Sequence, residues 1–307
     1  MGKIHVMKTI RVGTRGSKLA LIQTHQVIEA LRAHYPDVAF EAVVIRTTGD
    51  IRQGVPFRAA GAKGMFVKEI EEALLAGQVD FAVHSLKDMP GALPGGLYLA
   101  AIPSREDPRD ALLSYGLRLA ELSEGARVGT SSLRRQAQLR AHRPDLRLEE
   151  LRGNLDTRLR KLDEGHYDAI VLACAGLDRL GWAHRIVERL PITVSVPAPG
   201  QGALALEARV GDENIRTLLA ALHDAETADA VEAERSFQEA LGAGCTVPAG
   251  AYAHIEGDGI HLVAMVATPD GSVVFRVEER GPRDAAREIG RQAAENAKKE
   301  CTWVTSP

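Results

Sequence analysis

Hydrophobic and polar positions along the chain follow three successive patterns. Twice, a short apolar run gives way to a polar turn and then to helical spacing: first around "VGTRGS" (12–17), and again around "VGTSSLRRQAQLR" (128–140). "DFAVHSLKDMP" (80–90) reads as a buried strand that Pro90 stops, with His84, Ser85, Lys87 and Asp88 at its end. Towards the C-terminus the pattern changes. An amphipathic helix, "TADAVEAERSFQEAL" (227–241), precedes three strands, "AGAYAHIE", "IHLVAMVA" and "SVVFRVEE", joined by "GDG" and "PDG" turns. The helix "PRDAAREIGRQAAENAKKE" closes the chain, which predicts a small α+β domain with an antiparallel sheet.

The first two patterns echo one another. "HYPDVAFE" (34–41) answers "HRPDLRLE" (142–149), and "GQVDFAV" (77–83) answers "GHYDAIV" (165–171), in the same order as the two "VGT" turns. Three matches in register predict two similar α/β domains. His34 to Gly77 spans 43 positions but His142 to Gly165 only 23, so the first half carries about twenty extra residues. "TTGDIRQGVPFRAAGAKG" (47–64) accounts for them. Gly-rich, polar and without periodicity, it suits a lid over a cleft between the halves first, and a disordered segment second. "PITVSVPAPGQGALALEARV" (191–210) reads as a Pro- and Gly-rich crossing followed by an apolar strand that returns to the first domain. The expected division is 1–103 with 200–222, then 104–199, then 223–307.

Composition narrows the function. The chain has 307 residues, 45% hydrophobic and 26% charged, with no long apolar span and no secretory pattern at its start, so the cytoplasm is the expected compartment. Its three cysteines, Cys174, Cys245 and Cys301, have no paired spacing, and the ten histidines show no H-x-x-x-H pair; neither a disulfide framework nor metal catalysis is expected. Cys174 reads as core, and Cys301 as an incidental residue near the end of the chain, where chains fray. A net charge of −3 and 4% aromatic residues argue against a nucleic-acid binder. Yet ten Lys and Arg fall between Arg127 and Lys161, a local patch suited to a confined anion.

Those cations sit where anions are usually held. Ser131 or Ser132 would cap a helix whose first-turn amides face an anion, and Arg134 and Arg135 follow at once. "LRGNLDTRLRKL" (151–162) repeats the design with Arg152 and Arg158, and "VGTRGS" supplies Arg15 and Ser17. A solvated basic helix face would account for Arg140, Arg143 and Arg160, but less well for Arg134, Arg135 and Arg152, which sit at strand–helix junctions. No G-x-x-x-x-G-K-[ST] phosphate loop occurs. Asp88 and its neighbours lie beyond the carboxyl end of a strand, where open α/β sheets gather ligands, although a simple capping turn has the same residues. Cys245 stands in the bare loop "LGAGCTVPAG"; a covalent anchor, a redox-sensitive thiol and a structural residue all suit it.

"AVHSLKDMP", "REDPRDALLS", "VGTSSLRRQAQL", "LRGNLDTRL", "YDAIVLACAGLDRLG", "PAPGQGALALE" and "GAGCTVPAGAYA" together resemble the porphobilinogen deaminase (hydroxymethylbilane synthase) family, in collinear order over nearly the whole chain. The resemblance implies two doubly wound lobes of periplasmic-binding-protein type forming a cleft, plus an α+β C-terminal domain. It implies a monomer that deaminates and polymerises porphobilinogen onto a dipyrromethane primer, then releases the linear tetrapyrrole by hydrolysis. Cys245 would carry that primer as a thioether. Asp88 matches the catalytic aspartate. Lys87, Ser132, Arg134, Arg135 and Arg158 match positions that hold the cofactor; Arg15, Ser17, Arg152, Arg158 and Arg179 match the substrate side. "GAKGMF" matches a mobile loop, which places Lys63 and Phe66 near the cleft. Two departures stand out: Ala243 replaces a frequent glycine, and Ala59, beside Arg58, replaces a lid lysine. The alternative from a different class is a two-lobed binding protein for a carboxylated small molecule. It would keep the arginines but have no use for Asp88 or Cys245.

Overall fold

A computed structural model describes residues 9–48, 67–242, 247–301 and 303. Cys245, Lys63, Phe66, Ala59 and residues 49–64 of the expected lid lie outside the described residues. The chain divides into two compact units, Met1–Arg105 with Ala203–Ala228, and Glu106–Gly202 with Asp229–Pro307.

In the first unit, β1 (Ile10–Thr14) lies between β2 (Phe40–Val44) and β3 (Phe81–Ser85), parallel to both. β10 (Leu204–Arg209), which arrives from the far side of the sequence, inserts antiparallel between β3 and β4 (Leu97–Ala101). The order is therefore β2-β1-β3-β10-β4. Both faces of such a sheet must be covered, and alternate side chains divide accordingly. Val12, Phe81, Val83 and Leu206 bury against α1 (Lys18–His34) and α6 (Glu213–Ala220), whereas Ala82 and Leu97 pack with Ile70 and Leu74 of α2 (Lys68–Leu75).

The second unit repeats this plan. β5 (Asp110–Ser114), β6 (Arg127–Gly129), β7 (Arg147–Glu149), β8 (Ala169–Ala173) and β9 (Glu188–Arg189) take the order β7-β6-β8-β5-β9, with β5 antiparallel to β8. α3 (Leu133–His142) covers one face through Leu139; α4 (Leu155–Asp163) and α5 (Cys174–Arg179) cover the other through Leu159, Leu162 and Leu177. The echo extends to individual bonds. Asp80 accepts from the Arg11 backbone N–H at 2.7 Å while the Arg11 guanidinium reaches the Gly77 carbonyl at 2.8 Å. Asp168 accepts from the Arg127 N–H at 2.7 Å, and Arg127 reaches Gly165 at 3.0 Å. Each "Gly-x-x-Asp" thus ties two neighbouring parallel strands, β3 to β1 in one sheet and β8 to β6 in the other.

The three-stranded sheet of β11 (Ala249–Glu256), β12 (Gly259–Ala267) and β13 (Val274–Pro282) is antiparallel throughout. α7 (Ala225–Leu241) and α8 (Ala286–Glu300) cover one of its faces, with Phe237, Ala253, Leu262 and Ala293 in the shared core. These helices approach so closely that a Cβ on Gly290 would stand 2.1 Å from the Ala233 carbonyl oxygen. Cys301, expected near a frayed end, is instead 2% exposed. It caps α8, and Trp303 packs onto the same core beyond it. The α/β class, the duplicated lobes and the separate antiparallel sheet agree with the sequence reading.

Candidate active site

In the first unit the end of β3 turns through a 3-10 helix, Leu86–Asp88. Leu86 and Met89 are buried and pin the turn from below, the Leu86 N–H donating to the Ala203 carbonyl at 3.1 Å. That leaves Lys87 and Asp88 exposed. Asp88 lines a pocket with Arg15, Ser17, Gln23, His84 and Ser85. Ser17 caps α1, its oxygen accepting from the Ala20 N–H at 3.3 Å, so the helix opens onto the pocket with its amides forward. Gln23, one turn into α1, donates to Ser85 at 3.0 Å and closes the wall between helix and strand.

Behind that wall the first unit collects acid. His84 Nε2 lies 3.0 Å from Glu207 Oε2, with the two side chains 3% and 0% exposed. Glu71 of α2 is also buried. Its carboxyl is pushed above the usual glutamate value, by burial first and by the Glu207 charge second. The sequence reading placed His84 at the strand end but missed Glu207 and Glu71, which a helix and a returning strand bring to it. It missed Gln23 as well.

In the second unit the equivalent turn is cationic. Ser132 caps α3, accepting from the Arg135 N–H at 3.4 Å. Arg134 and Arg135 are both buried and converge on one fully buried carboxylate, Asp110, at 2.8 and 2.7 Å. Ser195 Oγ and Gln201 Nε2 also donate to Asp110, at 2.7 and 2.9 Å. Burial alone would raise the Asp110 pKa, but the two guanidinium charges outweigh it and hold the carboxyl far below its usual range. Burial lowers the Arg134 pKa, and Asp110 opposes that shift. Two guanidiniums on a single carboxylate leave an excess of positive charge, which is the electrostatic setting for a further anion.

The other expected cations flank this network. Arg158 Nε donates to the Gly153 carbonyl at 2.7 Å, and Arg152, just before that glycine, pairs with Glu150. Gly153 has φ +114°, and a Cβ there would meet the Thr157 side chain at 2.7 Å, so the Arg152–Arg158 turn requires glycine. Arg179 donates to the Gly202 carbonyl at 2.8 Å; burial lowers its pKa, with Glu106 and Asp178 opposing. Arg15, Ser17 and Asp88 thus share one pocket in the first unit. Ser132, Arg134 and Arg135 share one network in the second, with Arg152 and Arg158 at a neighbouring turn.

A protein family described as "Porphobilinogen deaminase, dipyromethane cofactor binding domain" matches residues 10–217, and "Porphobilinogen deaminase, C-terminal domain" matches residues 228–299. Porphobilinogen deaminase of Syntrophobacter fumaroxidans is 52% identical over 285 residues, 92% of each chain. That of Brevibacillus brevis is 52% identical, covering 93% of this chain and 92% of its own. That of Roseiflexus castenholzii is 53% identical, covering 91% and 92%. The two matched regions include Asp88, the cationic turns and Cys245, and this chain belongs to the porphobilinogen deaminase family.

Proposed function

We infer that the chain is a transferase of tetrapyrrole biosynthesis, which deaminates porphobilinogen, joins the units head to tail on a tethered dipyrromethane, and releases hydroxymethylbilane by hydrolysis. The observation that carries the site assignment is Asp88, an exposed carboxylate at the end of a buried strand, sharing a pocket with Arg15 and Ser17. Loss of ammonia from the substrate leaves positive charge on a pyrrole, and bond formation leaves a proton to be removed. Asp88 stabilises the first beside the pyrrole N–H and accepts the second. Arg15, Ser17, Arg152, Arg158 and Arg179 bind the acetate and propionate arms of the substrate.

The donor set fits a polycarboxylate cofactor, because the buried cations outnumber the acid that they share. Dipyrromethane, when bound, supplies the nucleophilic pyrrole carbon to which the next unit is joined. Lys87, Ser132, Arg134, Arg135 and Arg158 hold its carboxylates, and Cys245 provides the sulfur of the thioether. Lys63 and Phe66 belong to the lid. The enzyme works as a cytoplasmic monomer on a small-molecule substrate, with no nucleic-acid partner. Its three domains are 1–103 with 200–222, 104–199 and 223–307, and the three separate sheets support that division. Among the described residues, no helix is long and apolar enough to cross a membrane.

Incubation with porphobilinogen tests the reading: the enzyme yields hydroxymethylbilane and ammonia, whereas a solute-binding protein leaves the substrate unchanged. The denatured protein should carry the extra mass of one dipyrromethane, which Cys245→Ala lacks. Asp88→Asn should keep that mass but lose at least about a hundredfold in kcat. Near-normal turnover by Asp88→Asn would remove Asp88 from the catalytic role.

A further inference from the structure

The C-terminal sheet turns Ala251 and Ala253 towards its helices, so Tyr252, His254 and Glu256 of β11 fall on the opposite face. Register then sets three side chains in a row across the sheet. His254 stands opposite His261 of β12, and His261 opposite Arg280 of β13. The two imidazoles lie 5.2 Å apart, centroid to centroid, inclined at 60°. One ligand atom each from His254, Glu256 and His261 can be chosen so that all lie within 4.8 Å of one another.

The hydrogen bonds around His261 settle its tautomer. Arg280 Nη2 lies 3.3 Å from His261 Nδ1. A guanidinium can only donate, so Nδ1 carries the lone pair. Nε2 then bears the proton and donates to Glu278 at 2.9 Å. A carboxylate behind one ring nitrogen, with the other nitrogen bare, is the arrangement that orients a metal-binding histidine. A cation already stands on the bare side. Arg280 also reaches Glu256 Oε2 at 3.4 Å, and that oxygen is 3.9 Å from His261 Nδ1. Arg280 is 60% exposed and free to swing out, whereas His261 is 12% exposed and is not. His254 Nδ1 is buried and has no hydrogen-bond partner among the described residues.

We propose that His254, His261 and Glu256 form a site for a divalent transition metal, zinc foremost, in which the ion displaces the Arg280 guanidinium and Glu278 orients His261. Two imidazoles and one carboxylate leave a fourth, water-filled position on zinc, and this nitrogen-rich set disfavours magnesium and calcium. Bringing the ligands to zinc distances requires rotation of the exposed Glu256 and departure of Arg280. The backbone register already holds the two histidines together. Such an ion would staple β11 to β12 and is independent of the chemistry at Asp88.

The test uses the tag-free, full-length enzyme, treated with chelator, dialysed and titrated with zinc chloride against a chromophoric competitor. One zinc per chain should bind. His254→Ala and His261→Ala should each abolish that binding, and Glu278→Gln should weaken it about tenfold. Arg280→Gln, which changes an exposed side chain and keeps the fold, should tighten it about tenfold by removing the competing charge. Failure of the wild-type enzyme to retain zinc would overturn the proposal, as would equal binding by folded His254→Ala protein. Should either histidine variant fail to fold, Arg280→Gln decides alone: unchanged or weaker zinc binding there is equally fatal.

Discussion

The two α/β sheets share a strand order, an antiparallel intruder and the same Asp–Arg lock, yet their charges are arranged in opposite ways. In the first, carboxylates gather at and behind the strand end: Asp88 is exposed at the pocket, and Glu207 and Glu71 are buried near His84. In the second, one buried acid is surrounded by donors: Asp110 takes Arg134, Arg135, Ser195 and Gln201. Duplication therefore preserved what closes each sheet and left the strand ends to diverge. One strand end gathers carboxylates, and the other gathers guanidiniums around a single carboxylate. A scaffold element and a functional element can be told apart by asking whether the other half has it.

Substitutions sharpen the contrast. Asp110→Ala should have the largest effect, destabilising the second unit by about 3–5 kcal/mol, because it strands two buried guanidiniums; denaturant unfolding measures it. The Asp110 pKa is depressed in the folded state, so its contribution is complete above the ordinary carboxylate value and is lost as pH falls below about 4. The gap between wild type and Asp110→Asn should accordingly narrow in acid. A gap that is constant with pH would mean that the pair is held by shape and not by charge. Next come the two locks, which look identical on paper. The Asp80 side chain is 7% exposed and that of Asp168 46%. Asp80→Ala should therefore cost about 2 kcal/mol and Asp168→Ala under about 1 kcal/mol, and equal costs would make the locks true equivalents. The smallest effect should be a gain. The Glu71 pKa is raised in the folded state, so the native protein loses stability as pH climbs past the ordinary glutamate value. Glu71→Gln does not titrate and should unfold at a slightly higher temperature than wild type at pH 7, with the difference vanishing near pH 4.

The duplicated fold was legible because its signals are local: a "VGT" turn ends a strand and a serine caps the following helix. The returning strand β10 was legible too, since "GALALEAR" is apolar enough for a central position. The partners of the site residues were not. Asp110 lies 24 positions before Arg134, and Glu207 lies 123 positions beyond His84. Neither separation has a periodicity to betray it, and an arginine pair read without Asp110 looks available only to a ligand. One signal was present and unused. A histidine search along helical spacing passes over His254 and His261, but the short "GDG" turn between two strands places residues seven apart directly opposite one another. Hairpin register is as readable as helical register once the turn is recognised.

The position of β10 also governs when each half can exist. The second sheet is built from one continuous stretch, Asp110 to Arg189. The first keeps a vacant slot between β3 and β4, and β4 has no neighbouring strand until Leu204–Arg209 has been made. On the ribosome, the half that begins the chain is thus the half that must wait, its edges unpaired, while the whole of the other lobe is synthesised.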